Sequence, residues 1–406
     1  MSEHTTHDGI NGAMTTGPEA VRSVGIIGAG VMGRGIAEVS ARAGLRVKLL
    51  DQDPAVAASA VQTIKSVAPR AAAVSVALNE EEISAADLII EAVPEDLAIK
   101  TEILSRLDSH LGQQTIVASN TSSLSIAQLG AALKDPSRFC GLHFCLPVVQ
   151  RPLVEVIRAG ATDSTTMDRA VGFTISVGLS PIIVPDSPGF LLNRLLVSYM
   201  NEALELVLDG ATVESLDRVA RDFGMPIGPL ALFDEIGMDV AMAVGQSLLR
   251  AFPERIVPSE LLVAMYKSGR RGRKSCGGFY LSREDAVHGR LDPVVVELIQ
   301  ERRRNCARPA DSAVMQRLFL PMLLEATRTL QESLVTSPMI IDTALRDGLG
   351  MTRSYAGLFG WADRIGAATI MEWLRPLQSL GKRFEPTPQV VDAATHDSLI
   401  AGCRAA

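Results

Sequence analysis

Strand-like and helix-like spacings alternate along the first half of the chain, and helical spacing dominates the rest. Ser23-Val24-Gly25-Ile26-Ile27 is a short apolar run, the pattern of a buried strand. Arg34 to Ala43 has the apolar spacing of a helix, and Gly44 closes it. Leu45 to Asp51 forms the next strand. Asp87 to Glu95 and Gln114 to Asn120 repeat the buried-strand pattern, each leading into a polar turn. Strands separated by helices predict an open parallel α/β sheet, in which ligands sit outside the carboxyl ends of the strands.

From Asp186 onward the pattern is helical. Asp186-Ser187-Pro188-Gly189 has the polar N-cap and first-turn proline of a helix start, and the helix from about Phe190 ends at Asp209-Gly210. Ser282 to about Pro309 is polar and charged, the composition of a linker. Beyond it the chain repeats itself. Arg317 to Leu320 with Glu325 echo Arg194 to Val197 with Glu202, and Asp342 echoes Asp217. Gly350-Met351 echo Gly224-Met225, and Trp361 to Gly366 echo Phe233 to Gly237. The growing offset predicts a duplicated helical unit with small insertions. The chain thus divides into a disordered tail (1–21), an α/β domain (22–184), a helical domain (185–281), a linker (282–311) and a second helical repeat (312–400).

Composition narrows the class. At 406 residues, 47% of them hydrophobic, the chain is too long for one core. It has no apolar run long enough to span a membrane and no apolar signal region in its first 21 residues. The expectation is a cytoplasmic protein with no membrane partner. Five cysteines, Cys140, Cys145, Cys276, Cys306 and Cys403, are an odd count without C-x-x-C spacing. They read as reduced thiols, and no metal site is expected. A net charge of -7 opposes nucleic-acid binding, which needs a basic face.

Gly28-Ala29-Gly30-Val31-Met32-Gly33 places G-x-G-x-x-G between a strand and a helix. Gly28 makes the tight turn, Gly30 lets backbone approach a pyrophosphate, and Gly33 lets helix pack on strand. The helix N-terminus then offers unpaired amides and a favourable dipole to the phosphates. Asp51 ends the next strand, 23 residues after Gly28. A carboxylate there accepts from both ribose hydroxyls of NAD and repels the 2′-phosphate of NADP; the plainer reading is a strand-end cap. Gln52 and Asp53 add no basic residue, which also favours NAD. Glu95, Asn120 and Ser122 converge on the same sheet edge. Lys100 either reaches that edge or is a solvated helix lysine.

Of six histidines, His4 and His7 lie in the tail, and His110, His288 and His396 stand in polar contexts. His143 stands in the mostly apolar Cys140 to Pro147. Alone it reads as a structural residue, but Glu155 is the single carboxylate of the strand Leu153-Val154-Glu155-Val156-Ile157, and a buried acid needs a partner. Paired with His143, it fixes the ring tautomer and stabilises the imidazolium, leaving the other nitrogen to take a proton. Alcohol oxidation needs such a base, because a hydroxyl does not ionise freely near neutrality and imidazole titrates at about 6.5.

Ala118 to Leu124, Gly141 to Phe144, Leu153 to Ile157 and Pro188 to Leu196 together resemble the L-3-hydroxyacyl-CoA dehydrogenase family. The spacings of 21, 12 and 38 residues between Ser122, His143, Glu155 and Asn193 are similar to that family's. The resemblance implies His143 as general base and Glu155 as its orienting acid. Ser122 and Asn193 would hold the substrate hydroxyl, carbonyl or nicotinamide, and Glu95, Lys100 and Asn120 would contact the cofactor. The implied fold is a Rossmann-type NAD-binding domain followed by two tandem all-α domains like that family's C-terminal domain. The tandem repeat resembles the dehydrogenase portion of multifunctional fatty-acid oxidation proteins, without the hydratase part. Gln316 stands where Asn193 would recur, so the second copy reads as a packing partner rather than a second site. This implies a monomer with an internal pseudo-dimer, or a homodimer. Arg270-Arg271-Gly272-Arg273-Lys274 also looks like the family, and reads as a solvated basic turn rather than a phosphate clamp.

Two departures bear on the substrate. After His143-Phe144 the family usually carries a polar amide before the proline, where this chain has Cys145-Leu146-Pro147. The interval from Asp51 to Glu91, 40 residues, is short for members with a helical arm over CoA. The leading reading is NAD-dependent interconversion of an L-3-hydroxyacyl thioester and its 3-oxoacyl form. A dehydrogenase of a free or carrier-protein-bound 3-hydroxy acid is the alternative. A non-catalytic NAD-binding or structural protein is the reading from another class.

Overall fold

Eight strands form one sheet in the order β3-β2-β1-β4-β5-β6-β7-β8. They are β1 (Ser23–Ile27), β2 (Arg46–Leu50), β3 (Val74–Val76), β4 (Leu88–Glu91), β5 (Ile116–Ser119), β6 (Phe139–Phe144), β7 (Leu153–Arg158) and β8 (Ser180–Pro185). The computed structural model describes residues 20–68, 74–275, 277–287, 289–352, 357–396 and 398–399. The tail expected at 1–21 falls outside these up to residue 19, as do His4, His7, Cys276, His288 and Cys403.

The sheet is parallel except where β7 runs antiparallel to β6. That reversal departs from an all-parallel expectation. It sets His143 directly opposite Glu155, where cross-strand side chains lie close enough to bond. Helices α1 (Val31–Arg42), α2 (Pro54–Val67), α3 (Glu80–Ser84), α4 (Leu97–Asp108), α5 (Ile126–Gly130) and α6 (Ser164–Ser176) complete this layer. Strand alternation decides the two cores. Leu88 and Ile90 face α1, α2 and α6, whereas Ile89 joins Leu104 and Leu107 in a core continuous with the helical part.

The remainder comprises α7 (Leu192–Leu208), α8 (Val213–Phe223), α9 (Pro229–Ile236), α10 (Met238–Ala251), α11 (Glu260–Lys267), α12 (Arg283–Val287) and α13 (Pro293–Arg302), then α14 (Asp311–Gln331), α15 (Pro338–Ala344), α16 (Leu358–Ile365), α17 (Ala367–Leu374) and α18 (Pro388–His396). Helices α7 and α14 are buried along most of their length and pack on each other. Their contact is reciprocal. Arg194 Nε donates to Glu325 at 2.8 Å, and Arg317 Nε donates to Glu202 at 2.7 Å. Each arginine thus pairs with the glutamate that its own sequence echo carries, the signature of a two-fold-related interface.

Other echoed residues perform matching tasks. Asp217 accepts from the first amides of α9, Leu230 and Ala231, and Asp342 from those of α16, Leu358 and Phe359. Gly237 and Gly366 share one conformation, φ 96 and ψ 140 against φ 86 and ψ 136.

The stretch 282–311 is not the bare linker that its composition suggests. Within it α13 buries Val295 and Ile299, four residues apart and therefore on one helical face. Val294, Val296 and Leu298 are half-buried beside them. Among the described residues, no helix is long and apolar enough to cross a membrane, and no cluster of His, Cys, Asp and Glu suits a metal ion.

Candidate active site

The glycine fingerprint forms the turn from β1 into α1. Gly28 has φ 99, and a Cβ there would lie 2.6 Å from the Ala92 carbonyl oxygen. A Cβ on Gly33 would lie 1.8 Å from the Gly28 carbonyl oxygen, so helix and strand touch through glycine alone. Around Gly30 the space is open, and no side chain caps the amides that follow it. These features fit a dinucleotide pyrophosphate at a helix N-terminus. Val31 is exposed, and Met32 lines the cavity described below. Asp51 accepts from the Ala29 amide at 2.7 Å and from the Asp53 amide at 3.0 Å. It is therefore tied to the glycine turn at the edge where a ribose would lie.

Behind this edge runs a buried chain of charge. Lys100 is fully buried, bonds Glu91 at 2.7 Å and lies 3.6 Å from Glu95. The solvated-lysine reading is thereby corrected: Lys100 lies under the end of β4. Glu91 also accepts from Ser119 Oγ and the Val93 amide, which offsets the cost of burying the pair. Glu91 went unread in the sequence. Its signal, one acid in a strand of Leu and Ile, matches the one that marks Glu155. Glu95 gathers the Thr121 and Ser123 hydroxyls and the Ser122 and Ser123 amides on one oxygen. Burial pushes the Glu95 carboxyl up, but the Lys100 charge and these donors hold it below its ordinary value. The loop carrying Ser122 is fixed by that carboxylate.

His143 is the penultimate residue of β6, and its Nδ1 lies 2.6 Å from Glu155 Oε2. Glu155 has no exposed surface. Its other oxygen accepts from the Leu191 and Leu192 amides at 2.8 and 3.1 Å. Glu155 therefore caps α7, the task that the sequence reading left to the polar Asp186-Ser187 pair. Asp186 instead caps α5, accepting from Ser125 Oγ and the Ile126 and Ala127 amides. A carboxylate at a helix N-terminus is favoured as the anion. With Glu155 accepting, Nδ1 carries the ring proton and Nε2 is the acceptor. Phe190 packs on the ring at 5.8 Å between centroids, held at φ 49. That conformation is strained for a bulky residue.

Asn193, on the first turn of α7, donates from Nδ2 to the Ser122 carbonyl at 2.7 Å. Asn120 Oδ1 accepts from the Phe144 amide at 3.1 Å. Asn120, Ser122, His143 and Asn193 line one cavity of about 490 Å³ with Met32 and Leu146. Gly28, Asp51, Glu95 and Lys100 are not among its lining residues. The cavity continues between α7, α10 and α11 over largely apolar side chains, and Gly348 and Leu349 of the second repeat close part of it. Cys145 also lines it, but burial and then the Glu155 charge push its thiol well up, so it is no nucleophile. Cys140, Cys145 and Cys306 are free thiols.

The basic turn keeps Arg271 and Lys274 exposed, as the solvated reading expects, and its other cations are paired rather than free to clamp a phosphate. Arg270 pairs with Asp292 at 2.7 Å, Arg273 with Glu235 at 2.6 Å and Lys274 with Asp239 at 2.5 Å. From Asp51 to Glu91, the described residues hold α2, β3 and α3.

The fold is a Rossmann-type sheet with a dinucleotide turn, joined to helices that bring Asn193 beside the Ser122 loop and a histidine–glutamate pair. The family model described as "3-hydroxyacyl-CoA dehydrogenase, NAD binding domain" matches residues 23–187, and that of the C-terminal domain matches 189–282 and 314–399. The chain belongs to the 3-hydroxyacyl-CoA dehydrogenase family. It is 35% identical over 400 residues to the fatty acid oxidation complex subunit alpha of Shewanella halifaxensis; the match covers 94% of this chain but 56% of that protein. The 3-hydroxybutyryl-CoA dehydrogenase of Escherichia coli, 27% identical, superposes with a TM-score of 0.77 over 93% of this chain and 99% of its own. The (S)-3-hydroxybutyryl-CoA dehydrogenase PaaH1 of Ralstonia eutropha is 36% identical with a TM-score of 0.58. It covers 63% of this chain and 96% of its own.

Proposed function

We propose that the chain interconverts an L-3-hydroxyacyl thioester, with CoA as the thiol, and its 3-oxoacyl form. The carrying observation is the 2.6 Å His143–Glu155 pair, whose histidine lines the cavity with Met32 of the dinucleotide turn, Ser122 and Asn193. NAD, held at the Gly28 to Gly33 turn, would supply the hydride acceptor for the hydroxyl-bearing carbon. His143 Nε2 takes the hydroxyl proton, and the Glu155 carboxylate stabilises the resulting imidazolium. Ser122 and Asn193 orient the oxygen that loses the proton. On the cofactor side, Gly28 to Gly33 and Asp51 hold pyrophosphate and adenosine ribose, and Asn120, Glu95 and Lys100 shape the nicotinamide end. Lys100 and Glu95 act there largely by fixing the Ser122 loop.

The proposed domains are 22–184, 185–281 and 312–400, with the last replacing a second subunit on α7. The reciprocal arginine–glutamate pairs support a monomer with an internal pseudo-dimer. Cytoplasmic location is proposed on the absence of a membrane-spanning helix among the described residues and on the free thiols.

One observation favours a second reading. Among the described residues, the Asp51 to Glu91 interval holds one long helix, α2, and no helical pair to form an arm, as suits a free or carrier-bound 3-hydroxy acid. Following NADH consumption with acetoacetyl-CoA, free acetoacetate and an acetoacetylated carrier protein separates these readings. Preferential turnover of acetoacetyl-CoA is expected. Turnover of the acid or carrier form alone replaces the CoA reading, and NADH binding without turnover of any supports a non-catalytic protein.

A further inference from the structure

The reacting groups occupy one end of a cavity much longer than a four-carbon acyl chain needs. Asn193, Val197, Met200 and Leu204 line it on successive turns of α7, a run of roughly 16 Å at 1.5 Å per residue. An extended hydrocarbon advances at most about 1.5 Å per bond, so that length holds at least about ten carbons. Ala241 and Gly245, one turn apart on α10, line the facing wall. A Cβ built on Gly245 meets nothing within 4 Å, so the absent side chain leaves the cavity open. Glycine weakens a helix interior, and no close contact requires it here.

The direction of the cavity follows from α10. Ser247 Oγ donates to the Ser123 carbonyl at 3.4 Å, and a Cβ on Gly189 would touch Leu248 at 2.8 Å. The carboxyl end of α10 therefore lies beside the Ser122 loop and the start of α7. Moving back from Gly245 to Ala241 moves away from the reacting groups. We propose that the cavity receives the acyl tail, that the enzyme prefers medium and long chains to four-carbon ones, and that Gly245 and Ala241 set the admitted length. This rests on the dehydrogenase reading above.

The test compares kcat/KM for 3-oxoacyl-CoA substrates of 4, 8, 12 and 16 carbons with NADH, in the wild type, Gly245→Leu and Ala241→Leu. The wild-type value rises with length, by up to about fourfold per methylene that becomes fully buried. Gly245→Leu lowers the ratio of the 12-carbon to the 4-carbon value at least about tenfold. Ala241→Leu lowers it only at longer chains. Gly245→Ala gives a smaller loss of the same sign, and thermal unfolding checks that each variant is folded. A flat wild-type profile, or equal losses at every length in folded variants, overturns the length preference while leaving the dehydrogenase reading intact. No turnover at any length, with NADH bound, overturns both.

Discussion

The Leu191 amide donates to Glu155 at 2.8 Å, so the carboxylate that holds His143 also anchors the helix that delivers Asn193. Base, orienting acid and substrate-side amide are thereby one mechanical unit. Glu155→Gln replaces one acceptor oxygen with a donor, which then faces either the α7 amides or His143. The expected result is a fall in kcat of about 10²- to 10⁴-fold, with loss of about 1 kcal/mol from the weakened helix cap. Steady-state rates at saturating NADH and thermal unfolding measure the two effects. Loss of stability with full kcat would assign Glu155 a purely structural role.

The pairing of Arg194 with Glu325, mirrored by Arg317 with Glu202, makes a double-mutant cycle informative. Removing one buried partner strands the other, typically at 3–5 kcal/mol; Arg194 retains Glu332 at 2.6 Å, which moderates the loss. Glu325→Leu is expected to destabilise by about 2 kcal/mol or more, and Arg194→Met with Glu325→Leu to recover part of it. Denaturant unfolding measures this. Strict additivity would show that the two residues are not coupled.

Asp51 bonds the Ala29 amide, and its carboxylate opposes a 2′-phosphate. Asp51→Asn keeps an acceptor oxygen and removes the charge. The ratio of kcat/KM for NADP to that for NAD is expected to rise at least about tenfold, since like-charge contacts oppose binding by several kcal/mol. An unchanged ratio would place cofactor selection elsewhere.

Burial pushes Asp217 and Asp342 up to about 6 and Asp234 up to about 7, each from 3.8. Each keeps its proton in the folded chain at a pH where the unfolded chain has released it. Their contribution to stability is fully present below about pH 3.8 and is lost as pH rises through 6 to 7. Glu95 acts oppositely, because its lowered value makes its contribution fade as pH falls below 4.5. The unfolding midpoint is therefore expected to be higher at pH 5.5 than at pH 8, by about 1 °C per kcal/mol for a chain of this length. A midpoint that rises steadily from pH 5.5 to 8 contradicts the burial of these three acids.

The sheet, the dinucleotide turn and the helical repeat were legible because each rests on local spacing. Gly28 to Gly33 needs its glycines within one turn, and the repeat carries its own internal copy. His143 and Glu155 stood out as polar residues in apolar strands, a signal of burial that requires a partner. What stayed hidden was set by distant packing. The antiparallel turn of β7 has no local mark, and Asp186-Ser187 read as the start of the following helix although the fold brings Asp186 to α5. Lys100 reads equally as solvated or as reaching the sheet edge until Glu91, nine residues earlier, is placed beside it. The apolar positions of α13, Val294, Val295, Val296, Leu298 and Ile299, are outweighed by the polar flanks of 282–311 until packing against α7 and α11 shows their use.

His143→Gln, assayed with acetoacetyl-CoA and NADH alongside direct NADH binding, tests the proton-transfer role most directly. The expected result is a fall in kcat of about 10²- to 10⁴-fold with NADH affinity retained. Turnover within a few-fold of the wild type would contradict His143 as the base.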